Sequence, residues 1–189
     1  MPDYFLIWPF IEASWLGAIS LFMLTPPPHH TDTDTDIDAW VDYKTVQDRA
    51  QLLGKTLYHQ GDLSYFEAVN KEALKNAFSR SEEEGIIAVQ RPRGDGKVAP
   101  KVRLDLEWMP ARDSDGGLVA EGKLWEMCER ISQSRREGKN RRDGTTVRTR
   151  VLGLAELVGR DLFGDVVVGD EGPASSARRR RSVQMRAQL

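Results

Sequence analysis

Leu63–Val89 reads LSYFEAVNKEALKNAFSRSEEEGIIAV. Ser64-Tyr-Phe-Glu67 has the pattern of a capping box, in which Ser64 accepts from the Glu67 N–H and Glu67 reaches back to that of Ser64. Phe66, Val69, Ala73, Leu74, Ala77 and Phe78 then fall on one face at helical spacing. Asn70 offers a second cap, which would split the run into two helices by a turn; both readings stand. Gly85 is a natural stop. Glu82, Glu83 and Glu84 oppose the macrodipole of a last helical turn, so a frayed end is expected. Ile86–Val89 follows as a short β-branched run, the mark of a buried strand.

Working outward, Arg91–Pro100 is turn chemistry, RPRGDGKVAP. Val102–Trp108 alternates, with Val102, Leu104, Leu106 and Trp108 on one face. Two strands around such a loop predict an antiparallel hairpin near 86–108. Upstream, Thr45-Val-Gln-Asp48 resembles a capping box, and Val46, Ala50, Leu53 and Leu57 form a helical stripe stopped by Gly61. Downstream, Leu124, Cys128 and Ile131 mark a helix stopped near Gly138. Val147, Val151, Leu154, Ala155 and Val158 mark a last helix, ended by Gly159. The expected fold is mainly α with a small antiparallel β-hairpin (α+β). Helices followed by a hairpin give a winged-helix-like order of elements, with an N-terminal hydrophobic helix added.

The chain has 189 residues, room for one ordinary core plus tails. Hydrophobic residues make up 40% and charged ones 30%, and the net charge is −2, so no global field recruits nucleic acid or acidic lipid. One cysteine, Cys128, excludes an internal disulfide and reads as a buried small apolar residue. Tyr4–Leu24, YFLIWPFIEASWLGAISLFML, is long enough to span a bilayer. Pro9 and the lone charge of Glu12 argue against a simple span. A helix buried against protein is the preferred reading, beside a membrane or interfacial helix and a truncated gene product. With no basic n-region and no small-residue cleavage site, a signal peptide is not expected. Four regions follow: a hydrophobic helix at 1–24, a disordered linker at 25–39, a helical domain with the hairpin at 40–163, and a disordered basic tail at 164–189.

His29 and His30 beside Asp32, Asp34 and Asp36 have metal-ligand chemistry. Their tract of prolines and Thr-Asp repeats has nothing to fix ligand geometry, so no metal is expected. The alternative function carried by this order of elements is a winged-helix-like protein- or nucleic-acid-binding module, in which the Asn70–Glu84 helix would be the reader. It sets Lys71, Lys75 and Arg80 against four glutamates, a poor match to phosphate, so no specific nucleic acid is expected. The loop Arg91–Arg103, the pair Arg141-Arg142 beside Asp143, and the run Arg178–Arg181 read as solvated basic segments. Ala187-Gln188-Leu189 is a degenerate relative of the peroxisomal Ser-Lys-Leu signal.

Several of these stretches resemble the C-terminal region of the glycerol-3-phosphate / dihydroxyacetone phosphate acyltransferases. Tyr65, the run Leu74-Lys75-Asn76-Ala77-Phe78 and Gly85-Ile86-Ile87 look like features that recur in that order in the family. Trp8-Pro9-Phe10-Ile11-Glu12 looks like its upstream hydrophobic segment, and Arg135–Asp143 is similar to fungal members. The resemblance covers roughly residues 4–160. It implies acyl transfer from acyl-CoA, as co-substrate, to the sn-1 hydroxyl, in glycerolipid and phospholipid biosynthesis. In the family a histidine and an aspartate in an H-x₄-D motif act as the base. His29 and Asp34 match that spacing, but no ordered element holds them and no Phe-Pro-Glu-Gly-like run follows. The catalytic half is therefore expected to be absent, with no catalytic residue, metal or cofactor in this chain and its substrate-binding residues unassigned. The resemblance further implies an intracellular, membrane-associated place (endoplasmic reticulum, mitochondrial or peroxisomal membrane). Tyr4–Leu24 would contact either the membrane or the catalytic domain of the same enzyme.

Overall fold

The computed structural model describes residues 7–28, 40–92, 98–137 and 144–164. Helix α1 spans Trp8–Ser20 and tightens into a 3-10 turn at Leu21–Leu24. Pro9 stands in its first turn, where a missing N–H breaks no helical bond. Every residue from Trp15 to Leu24 is buried. Leu16, Ile19, Leu21, Phe22 and Leu24 have no exposed surface, and each such side chain contributes about 1.5–3 kcal/mol. The apolar run is thus the centre of the protein, packed against its later helices. Among the described residues no helix is long and apolar enough to cross a membrane.

Strand β1 (Val41–Asp42) leads directly into α2 (Tyr43–His59). A 3-10 turn at Phe66–Val69 precedes α3 (Lys71–Glu83), followed by β2 (Ile87–Gln90) and β3 (Lys101–Leu104). The three strands form an antiparallel sheet in the order β1-β3-β2. Val102 faces Val41 on one side and Val89 on the other, and Leu104 pairs with Ile87. Two further helices, α4 (Lys123–Glu137) and α5 (Gly144–Leu162), close the core. Phe22 meets Trp125 of α4 edge-on at 6.2 Å. Val151, Leu152 and Ala155 of α5 are buried in the same cluster.

The architecture is the expected α+β one, mainly helical with a small antiparallel sheet. The two-residue strand β1 completes the winged-helix order: helix, strand, two helices, two strands. Gly61 and Gly85 are the helix stops, each with a left-handed φ (76° and 71°) that other residues rarely adopt. Gly54 has a different role. A Cβ there would lie 2.5 Å from Leu16 Cδ2, so its absence sets how closely α2 approaches α1.

Five local expectations need correction. The Ser64 box does not form: Glu12 takes the backbone N–H that Glu67 would have accepted from, the 3-10 turn at Phe66–Val69 has no side-chain cap, and Asn70 caps α3 by accepting from the Glu72 N–H at 2.9 Å. Phe66 consequently leaves the buried face and is 52% exposed. The cap of α2 is Asp42, which accepts from the Thr45 N–H at 2.7 Å, not Thr45 itself. The β3 strand stops at Leu104, because Asp105 accepts from the Glu107 N–H and turns Leu106–Trp108 into a 3-10 helix. Gly159 does not end α5. It lies inside the helix where a Cβ would sit 2.9 Å from the Met23 carbonyl, and the left-handed stop is Gly164.

Candidate functional site

Glu12 is the one charge of α1 and is nearly inaccessible. Its Oε2 accepts from the Ser64 and Tyr65 N–H groups, each at 2.9 Å, and its Oε1 from the Ser64 N–H at 3.0 Å. These donors are backbone groups freed where the chain turns between α2 and α3. Arg135 of α4 comes from the other side, with Nη2 3.8 Å from Glu12 Oε1. Its guanidinium lies 3.7 Å from the centre of the Trp15 ring, a cation–π contact, and donates to the Asp62 carbonyl. Arg150 of α5 donates to the Asp62 carboxylate. Two buried carboxylates and two arginines from four segments therefore meet at one junction. Both Glu12 oxygens are occupied by backbone donors. That is the chemistry of a structural lock: Oε2 accepts two N–H bonds, Oε1 accepts one with Arg135 beside it, and the carboxylate is buried away from any substrate.

A second clasp sits at the opposite end of the apolar segment. Arg112 Nη2 donates to the Pro26 carbonyl at 2.9 Å, and Nη1 donates to Glu156 Oε1 at 2.9 Å and the Gly116 carbonyl at 2.5 Å. Glu156 also accepts from Arg160 one turn later in α5, at 3.1 Å.

Between α1, α3 and α4 lies an open groove of about 440 Å³. Ala18, Ala77, Ile86, Trp108, Met127 and Ile131 give it apolar walls, and Arg80, Glu84 and Arg130 stand among its lining residues. Ser14 and Ser81 also line it, but each hydroxyl bonds back to a carbonyl of its own helix at 2.9 Å.

The three cations of α3 are each paired with a carboxylate. Lys71 binds Asp48 at 2.7 Å, Lys75 lies 3.8 Å from Glu72, and Arg80 binds Glu84 at 2.8 Å. Arg91 binds Glu82 and holds its carboxyl below the usual carboxylate range. These pairs also tie down the acidic end of the helix. Cys128 is buried, and burial pushes its thiol pKa up, away from reactivity. His29, His30, Asp32, Asp34, Asp36, Arg141, Arg142, Asp143, Arg178–Arg181 and Ala187–Leu189 lie outside the described residues. Among the described residues no group of three or more His, Cys, Asp or Glu is gathered as a metal site.

The junction was visible in the sequence only as a problem. A lone glutamate in an apolar helix demands a buried partner, yet nothing in the spacing points to Arg135 rather than another arginine of its basic run. Asp62, beside the Gly61 stop, carries no periodicity signal at all.

Residues 4–90 match the family model described as glycerol-3-phosphate acyltransferase C-terminal region. No curated protein and no solved structure matches the chain.

Proposed function

We propose, on the premise that residues 4–90 are a glycerol-3-phosphate acyltransferase C-terminal region, that this chain is the non-catalytic C-terminal part of such an enzyme. The whole enzyme would transfer an acyl group from acyl-CoA to glycerol-3-phosphate or dihydroxyacetone phosphate, for phospholipid synthesis at an intracellular membrane. The observation that carries this reading is the family match, which runs from the start of α1 into β2. The chemistry of the junction supports it: Glu12, the one carboxylate of α1, is bound on both oxygens to backbone N–H groups. Its role here is to hold a helical module that packs against the catalytic part and stabilises it. The paired cations of α3 favour a protein partner over nucleic acid.

The test is direct. Purified chain is incubated with acyl-CoA and each phosphate acceptor, and the acylated product is quantified; none is expected above background. Turnover that disappears in His29→Ala would overturn the non-catalytic reading. The genomic frame upstream of Met1 is expected to encode an H-x₄-D motif and a Phe-Pro-Glu-Gly-like block. A frame lacking both would count against membership of the longer enzyme.

A further inference from the structure

We propose that the groove between α1, α3 and α4 binds a monomeric single-chain amphiphile with an anionic head group. Its volume of about 440 Å³ is that of a small-molecule site, which typically measures ~300–1,000 Å³ with apolar walls and a few convergent polar groups. The walls are apolar in effect as well as in composition. Ala18, Ile86, Met127 and Ile131 supply hydrocarbon, and the two serine hydroxyls are already bonded within their own helices. The remaining polar groups are mostly donors. Arg130 is exposed and has no ion pair among the described residues, and the Trp108 indole N–H has no hydrogen-bond partner there either. Arg80 binds Glu84 through Nε, leaving its two terminal nitrogens for a further acceptor. Two arginines against one glutamate leave the lining one positive charge in excess. An apolar trough with a surplus of fixed donors matches a hydrocarbon chain ending in a carboxylate or phosphate. A monomer fits better than a bilayer surface. The groove is concave, and the chain carries a net charge of −2, which disfavours an anionic membrane surface. The site and its test stand apart from the family reading.

Isothermal titration of the full chain with decyl phosphate, 1-decanol, inorganic phosphate and phosphatidylcholine/phosphatidylglycerol vesicles tests it. Decyl phosphate below its micelle concentration is expected to bind one to one. Decanol should bind about tenfold more weakly, the loss of one charge-assisted contact. Inorganic phosphate alone should show no binding. Arg130→Gln should weaken decyl phosphate by about tenfold without changing decanol. Ser14→Trp, which places a ring in the trough, should abolish both. Circular dichroism checks that each variant folds; Arg130 is exposed, so R130Q remains decisive if S14W does not fold. Equal affinity for decanol and decyl phosphate, an unchanged R130Q, binding to vesicles alone, or no binding would each overturn the proposal.

Discussion

The two ends of the apolar segment are both gripped by arginines, but the grips differ in kind. At the first end the segment supplies the charge. Glu12 and Arg135 leave only 5% and 6% of their side chains exposed. At the second end the segment supplies only the backbone carbonyl groups of Thr25 and Pro26. The ion pair that reaches them, Arg112 with Glu156, belongs wholly to the later part of the chain, and its side chains are 17% and 14% exposed. Breaking the first grip strands a buried cation and leaves two backbone N–H groups without their acceptor. Breaking the second loses hydrogen bonds at a site that water can reach. Burial therefore decides which grip matters more.

Glu12→Ala is the severest test of that difference. It should cost about 3–5 kcal/mol, the penalty for breaking a buried pair from one side, read as a large fall in the urea midpoint at unchanged slope. Arg112→Met should cost less, about 1.5–3 kcal/mol for lost hydrogen bonds involving a charged group, measured the same way. If R112M proved the more damaging, the contrast between the two ends would be wrong. Asn70→Ala lies outside both grips and gives the scale of an ordinary local contact, about 1 kcal/mol for a lost N-cap.

The smallest effect concerns pH. Arg91 bonds to Glu82 and depresses its carboxyl pKa in the folded protein. A depressed folded value means that the pair supports the fold above the unfolded carboxylate pKa, about 4.3. That support is lost as pH falls through the lower folded value. Arg91→Gln should raise the Glu82 titration midpoint toward that unperturbed value in a carboxyl NMR titration. A midpoint that stays put would show that surface pairing contributes nothing at the α3 end.

What was legible in the sequence followed from local chemistry. The Val46–Leu57 stripe, the stops at Gly61 and Gly85 and the burial of Leu74 and Phe78 depend on neighbours within a turn or two, and they appear in the structure as read. The Ser64 box failed because a residue 52 positions away claimed its N–H. Strand β1 was missed because two residues cannot display a period. Leu106 continued the alternation of β3 yet is 70% exposed, since the Asp105 side chain caps a turn that ends the strand. The junction itself was hidden because its charges are assembled from four separate segments. Pattern within a window does not encode which arginine arrives.

That assembly has a consequence for synthesis. Helix α1 leaves the ribosome before the helices that cover it, α4 and α5. Asp62 must wait for Arg150, 88 residues further on. At roughly 5–20 residues per second this is a delay of about 4–18 s. Throughout it the most apolar stretch of the chain has no finished core to enter. The apolar segment is therefore covered only once α4 and α5 have been made, and the charges that lock the mature fold are the ones that close it.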